Sequence, residues 1–468
     1  MNEKTFLATC VDLSYEGKGV VKNGKDVYFV SGMFPGEEGE IAFDYSRNGA
    51  KFGKLVRLTK KSADRVDPKC KICSACGGCD FQQLAYPAQL EYKTKKVGEQ
   101  FRKIAKMDVE VAPCIGMDDP YFYRNKIQMP FAKDNRGRWY CGFYKANTHV
   151  IVPVDTCYIE DERAKQILDA IKKLAPSFKI EPYLEDEGRG MLRHALIRTS
   201  KHLDGVMVVL VTYKEAFPSR NNFVKALVKE CPFITTVVQN VNPRHTNVIL
   251  GDFERVLYGP GFIEDMLCGI RFRISPKSFY QVNPVMTEKL YGAAIQAAGL
   301  TGEETVFDAY SGIGTIGMVA SKSCKNVIAV EIVQAAVKDA IQNAKRNGIS
   351  NVRFYCDDAS SFMVKMAKNN EHVDVVFIDP PRKGSDERCL DAICKLRPNR
   401  IVYVSCDPST LARDIRYISK SYKVESVQPV DMFPFTMHVE SVASLELKNN
   451  FSTSQKFLRS IEKYCELD

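Results

Sequence analysis

No apolar run in this chain is long. Stretches such as Val206–Val211 stop well short of the roughly 20 residues a helix needs to cross a bilayer. The opening MNEKTFLATC lacks the apolar core of a secretion signal, so the expected location is the cytoplasm, with no membrane contact. There is no long repeat and no low-complexity tract. Nor does one sign of charge dominate: 66 Lys+Arg against 57 Asp+Glu gives +9 over 468 residues. That mild basic bias permits a phosphate-rich partner without requiring one. What is present, 45% apolar and 26% charged residues, is the balance of a soluble globular protein. The length predicts two or three domains. Sixteen cysteines without a signal sequence point to a reducing compartment, where clustered cysteines mean metal or catalysis rather than disulfides.

The first 60 residues read as a small β-barrel, with strand-like runs at Leu7–Leu13, Val27–Val30, Glu40–Ser46 and Lys54–Leu58 between glycine turns. Arg47, Lys51, Lys54, Arg57, Lys60 and Lys61 follow, either a solvated face or a phosphate-contacting one. A helix is expected over roughly Tyr86–Lys106. Residues 120–275 read as β-rich, with strands at Lys126–Phe131, Arg138–Tyr144, Ala195–Ser200, Val206–Thr212 and Ile234–Asn240. From about 303, buried strand runs (Thr305–Asp308, Val327–Glu331, Val352–Tyr355, Val375–Asp379, Ile401–Ser405) alternate with helical segments at 315–323 and 333–347. That alternation predicts an α/β, doubly wound parallel sheet. The tail from Lys448 is polar, with one amphipathic helix.

The first of these α/β strands runs into Asp308-Ala-Tyr-Ser-Gly312-Ile-Gly314-Thr-Ile-Gly317, a Gly-x-Gly-x-x-Gly loop between strand and helix. Glu331 ends the next strand, where a carboxylate can accept both ribose hydroxyls of an adenosine. NAD and S-adenosylmethionine both satisfy this much. Asp308 favours S-adenosylmethionine, because an acid suits a cationic amino-acid end and repels a pyrophosphate. Strand four ends in Asp379-Pro-Pro-Arg382, a rigid loop at the same sheet edge, and strand five ends in Ser405-Cys406-Asp407-Pro408. A thiol beside a methyl donor suggests addition to carbon 6 of a pyrimidine, which makes carbon 5 nucleophilic, followed by removal of the carbon 5 proton by a base. His438 and Glu440 are the candidate bases. Tyr121–Lys126 and Met191–His194 mix aromatic, basic and polar residues, as RNA contacts require, and read equally well as a strand face and its edge.

Cys70-x-x-Cys73-x-x-Cys76-Gly-Gly-Cys79 reads as a metal site, either zinc or iron–sulfur. Its spacing does not supply the Cys-x-x-x-Cys-x-x-Cys of radical S-adenosylmethionine enzymes.

Taken together, SPKSFYQVNP (275–284), DAYSGIGTIG (308–317), Glu331, DPPRKG (379–384), VSCDP (404–408) and HVESV (438–442) resemble the RNA (uracil-5-)-methyltransferases, in particular their bacterial 23S ribosomal RNA branch. The resemblance spans nearly the whole chain. It implies a TRAM/OB-like RNA-binding barrel over 1–62 and an iron–sulfur-bearing, β-rich middle domain over 63–274, whose helix 86–107 can pack on the catalytic part. A Rossmann-like class I methyltransferase domain then covers 275–468. It further implies Cys406 as nucleophile, Glu440 as base, and Gln281, Tyr310, Glu331 and Asp379 as S-adenosylmethionine contacts. Cys70, Cys76, Cys79 and a distant Cys157 would hold a 4Fe–4S cluster. Cys73 departs from that pattern and keeps open a local four-cysteine site, with zinc as its metal. Thr315 and Asp358 stand where relatives have Asn and are given no role. The partner implied is ribosomal RNA, met by a monomer. The competing readings are a transfer RNA substrate and a non-catalytic RNA-binding ribosome-assembly factor.

Overall fold

The computed structural model describes residues 5–145, 148–185, 187–246 and 248–448; the tail helix expected after Lys448 lies outside them. Strands β1 (Thr5–Leu13), β2 (Gly19–Asn23), β3 (Asp26–Val30), β4 (Glu38–Arg47) and β5 (Ala50–Lys60) close into a barrel in the order β1-β2-β3-β5-β4. Its interior is a small apolar plug of Cys10, Val21, Val30, Met33 and Ile41. Strand β2 is absent from the sequence expectation: five residues holding two valines carry too little pattern to stand out.

Helix α1 (Tyr86–Gln100) continues as one π turn, Phe101–Ala105, which accounts for the expected 86–106 helix. It packs on the catalytic part: Val97, Phe101 and Ala105 share a core with Tyr403, Leu411 and Ile415.

Next come β6 (Lys126–Lys133), β7 (Trp139–Tyr144), β8 (Ile151–Pro153), α2 (Glu162–Leu174), β9 (Leu192–Thr199), β10 (Val206–Thr212), α3 (Arg220–Glu230), β11 (Thr236–Val241) and β12 (Phe253–Tyr258). Their strands form a seven-stranded sheet, β12-β11-β10-β9-β6-β7-β8. The middle region is therefore α+β rather than simply β-rich. Every residue of β10 is buried, because both faces of the sheet are covered. Val206, Val208 and Leu210 meet Ile167 and Ile171 of α2 and Phe223 of α3. Met207, Val209 and Val211 face Tyr280, Met286 and Leu290.

A hairpin, β13 (Ile263–Leu267) and β14 (Ile270–Ile274), leads to α4 (Pro284–Ala298). The catalytic part then runs β15 (Thr305–Ala309), α5 (Thr315–Ala320), β16 (Asn326–Glu331), α6 (Gln334–Arg346), β17 (Val352–Cys356), α7 (Ala359–Lys368), β18 (Val375–Ile378), α8 (Glu387–Leu396), β19 (Arg400–Ser405), α9 (Pro408–Ile418), β20 (Tyr422–Val430) and β21 (Glu440–Leu447). The sheet order is β17-β16-β15-β18-β19-β21-β20, parallel except where β21 inserts antiparallel between β19 and β20. This is the doubly wound, mostly parallel sheet that the alternation predicts. No described helix is long and apolar enough to cross a membrane.

Candidate active site

Strand register sets out the site. Ala309 of β15 pairs with Val330 of β16 and Ile378 of β18. One step further along each strand stand Tyr310, Glu331 and Asp379, in a row at the carboxyl edge, where open α/β sheets bind ligands. Tyr310 takes a left-handed backbone (φ 75°), which is costly for a non-glycine residue and starts the glycine loop. At Gly317 a Cβ would stand 2.8 Å from Asp308 Oδ2; its absence lets the Gly317 N–H donate to that oxygen at 2.8 Å.

Gln281, Tyr310 and Asp379 line one cavity with Asp308, Tyr291 and Thr315. Glu331 stands beside it. Its Oε2 accepts from Gly312 N (3.0 Å) and its Oε1 from Val333 N (2.8 Å), so it braces the glycine loop as well as ending β16. The segment carrying Gln281 is held from the middle sheet: Asn125 Nδ2 donates to Gln281 O (3.1 Å), and Arg198 Nη2 donates to Ser278 O (2.5 Å). Burial pushes Asp308 up to about 7, helped by Asp379 and Glu331, and raises Asp379 to about 7. Among the described residues no cation pairs with either carboxyl. The donor set thus fits a ligand that brings its own positive charge, as S-adenosylmethionine does with its sulfonium and ammonium. Thr315, left without a role in the sequence, lines this cavity and hydrogen-bonds Tyr291 Oη (2.9 Å). Asp358 caps α7, accepting from Ser361 N (2.8 Å).

Strands β19 and β21 pair antiparallel up to Ser405 and Ser441. The next position on each is Cys406 and Glu440, so the ladder ends with the thiol opposite the carboxyl. Burial, then Glu440 and Asp379, push the Cys406 thiol up to about 12, with Arg382 opposing. Glu440 is 4% exposed, and burial, then Asp379, raises it to about 8, again against Arg382. Burial thus favours the protonated form of both groups. Sequence reasoning assigns no role to Arg382, which among the described residues is the cation opposing both shifts; its place after Asp379-Pro-Pro is the available signal. His438 is half-buried, and burial followed by Arg382 and Lys96 lowers its pKa.

Distant parts of the chain hold this edge together. Tyr15 of the barrel donates to Asp407 Oδ1 at 2.9 Å, one residue after Cys406. Asp407 also caps α9 at Ser409 N (2.8 Å). Lys96 of α1 donates to Met437 O (2.8 Å) with its ammonium 4.1 Å from the Tyr15 ring centre. Lys93, fully buried, pairs with Asp431 (2.5 Å), and Gln89 accepts from Phe435 N (3.0 Å). Loop 431–438, which delivers Glu440, is thus fastened to α1 at three places. The cysteine segment grips it too: Asp80 N and Phe81 N donate to Phe435 O at 2.8 and 3.0 Å.

Cys70, Cys73, Cys76, Cys79 and Cys157 line a second cavity, of about 340 Å³, between that segment and the middle sheet. Cys79 and Cys157 pack on the same small apolar group around Phe435. Among the described residues no three cysteine, histidine or acidic side chains gather closely enough to hold a metal ion, so the arrangement of the thiols supports neither the zinc nor the iron–sulfur expectation.

Several of the basic residues read as RNA contacts are spent internally. Arg193 is buried and donates to the carbonyls of Asn242 (2.9 Å) and Arg244 (2.6 Å). Tyr123 is buried against Pro434 O (3.2 Å). On the barrel, Lys51, Arg57 and Lys60 pair with Asp26, Glu40 and Glu38, while Lys54 and Lys61 stand exposed without an ion-pair partner among the described residues.

The family description tRNA (uracil-5-)-methyltransferase matches residues 254–448. An uncharacterized RNA methyltransferase of Halalkalibacterium halodurans is 43% identical over 94% of this chain and 96% of its own length. One from Listeria monocytogenes is 42% identical over 94% and 97%. Among solved structures, the Pyrococcus abyssi tRNA (uracil-54, C5)-methyltransferase in complex with S-adenosyl-L-homocysteine is similar with a TM-score of 0.77. It is 27% identical and covers 94% of this chain and 100% of its own.

Proposed function

The chain belongs to the RNA uracil-5-methyltransferase family and uses S-adenosylmethionine, and from that premise we propose that it methylates carbon 5 of a uridine in 23S ribosomal RNA. The observation that carries the chemistry is the end of the β19–β21 ladder, where Cys406 meets Glu440. S-adenosylmethionine supplies an electrophilic methyl on a cationic sulfur; Gln281, Tyr310, Glu331 and Asp379 hold it. Its positive charge would favour the Cys406 thiolate and ionised Glu440, which burial disfavours. The Cys406 thiol and the Glu440 carboxyl first lose their protons to solvent; the Cys406 sulfur then bonds to carbon 6, and the carbon 5–carbon 6 π pair moves towards oxygen 4 as an enolate. Carbon 5 takes the methyl, leaving S-adenosylhomocysteine to depart; the Glu440 carboxylate removes the carbon 5 proton, and the sulfur–carbon bond breaks to return the Cys406 thiolate as the double bond re-forms. The target base reaches this pocket by flipping out of its strand, and Phe279, 73% exposed beside the cofactor cavity, offers it a stacking face.

The same reading assigns a 4Fe–4S cluster to Cys70, Cys76, Cys79 and Cys157. Its part is structural or RNA-positioning, because methyl transfer consumes no electrons. The barrel and the clustered cysteines favour ribosomal RNA, and the enzyme works as a cytoplasmic monomer. The full-length match to the Pyrococcus abyssi enzyme favours transfer RNA as the second reading. Locating the 5-methyluridine lost from a deletion strain separates the two.

The mechanism is tested by trapping. Glu440→Gln should add the thiol and transfer the methyl but resolve slowly, accumulating a denaturation-resistant protein–RNA complex. Cys406→Ala should form none, and 5-fluorouridine RNA should trap the wild type. Normal turnover by Glu440→Gln together with trapping by His438→Gln would reassign the base. Dispensability of Cys406 would favour the non-catalytic assembly factor.

A further inference from the structure

On the middle sheet, alternate residues of β6 face the catalytic part. Lys126 and Gln128 line the cysteine cavity, while Pro130 and Ala132 line a further one, of about 320 Å³. Pro130 lies five residues beyond Asn125, which holds the Gln281 segment. At about 3.3 Å per residue that places the second cavity roughly 17 Å along the chain from Asn125.

The walls are aromatic: Tyr140, Tyr144 and Tyr183 line it, and Tyr183 stacks on Tyr213 with centroids 4.5 Å apart. His194, the cross-strand partner of Pro130, is 8% exposed, and its Nδ1 has no hydrogen-bond partner among the described residues. Burial, then neighbouring Arg193, hold this imidazole neutral, with a pKa lowered to about 4. A neutral imidazole buried without a partner is a cost that a ligand's polar edge removes. Arg193 closes one side, its guanidinium 5.0 Å from the Tyr183 ring centre. The rim carries Glu185 and Glu187, paired with Arg193 and Arg189, and Lys133 beside them. Rings for stacking and one unpaired, buried polar atom together suit a nucleobase.

We propose that this cavity captures an unpaired nucleobase of the substrate RNA, a few nucleotides from the methylated uridine, and so contributes to choosing the substrate. The inference rests on the reading that the substrate is RNA; it requires neither the ribosomal assignment nor the Cys406 chemistry.

The test uses the full chain with transcripts of 23S ribosomal RNA and of transfer RNA, made with and without 5-fluorouridine. Covalent capture of the fluorinated transcripts reports on the proposed reaction alone. Equilibrium binding of the unmodified transcripts, measured whether or not capture occurs, reports on the cavity. Tyr144, 36% exposed, can be removed without disturbing a core. Tyr144→Ala and His194→Leu should each weaken RNA binding about tenfold, the scale of one lost base stack. S-adenosylmethionine affinity should not change. Ultraviolet crosslinking should place a nucleotide on Tyr140, Tyr144 or Tyr183. Replacing that nucleotide by an abasic one should weaken binding by wild type but not by Tyr144→Ala. RNA affinity unchanged in both variants, or an equal abasic penalty in wild type and Tyr144→Ala, overturns the proposal.

Discussion

Lys93→Met tests whether α1 truly fastens the loop that delivers Glu440. Lys93 and Asp431 are both fully buried, with Nζ 2.5 Å from Oδ1. At that distance, and at an effective dielectric of about 20, their attraction is roughly 7 kcal/mol, against which stands the cost of taking two ions out of water. Removing one partner forfeits the attraction and leaves Asp431 charged and buried, still accepting from Tyr86 Oη (2.9 Å) and Phe433 N (3.1 Å). The expected loss is about 3–5 kcal/mol. For a cooperative unit the size of the catalytic part, at roughly 2–4 °C per kcal/mol, the melting temperature should fall by about 6–20 °C. Adding Asp431→Asn to Lys93→Met removes the stranded charge and keeps an acceptor for Phe433 N. The double variant should therefore melt above the single one. Differential scanning calorimetry reads both. A Lys93→Met protein melting within about 2 °C of wild type, or a double variant melting below it, would refute the clamp.

Glu331→Ala should weaken S-adenosylmethionine binding by about 1–3 kcal/mol in calorimetry, and unchanged affinity would remove Glu331 from the contacts. Anaerobically purified protein should contain about four irons per chain by the family's cluster type; Cys157→Ser should lose them and Cys73→Ser keep them, whereas stoichiometric zinc would reject the assignment. Glu440 titrates near 4.5 when unfolded and near 8 when folded, so the folded chain keeps a proton that the unfolded one releases. Its stabilising effect is complete below about 4.5 and disappears as pH rises through about 8. Melting temperature should therefore fall less over that interval in Glu440→Gln than in wild type, and parallel curves would contradict the buried-carboxyl account.

Local chemistry was legible in the sequence where a strand end and a motif coincide. Tyr310, Glu331 and Asp379 each end a strand of apolar residues, so parallel pairing alone puts them in one row. Val206–Thr212 was legible as an unbroken apolar run, and the structure begins and ends it there. Reading residues 120–275 as β-rich passes over α2, although Ala164, Ile167, Leu168 and Ile171 recur at helical spacing on its buried face. The opposition of Cys406 and Glu440 was not legible, because antiparallel insertion of β21 is a long-range choice that no local pattern records. The lysines of α1 show the same limit. A row of charges looks like a solvated face, yet Lys93 meets Asp431 across 338 residues of sequence and Lys96 meets Met437 O across 341.

The contact from Tyr15 to Asp407 joins positions 392 residues apart. During synthesis the barrel strands emerge first, while the partner of Tyr15 has not yet been translated. The nucleophile's loop acquires its last hydrogen bond, and Glu440 its place in the sheet, only when almost all of the chain has left the ribosome. A prematurely terminated product therefore lacks the edge at which Cys406 and Glu440 come together.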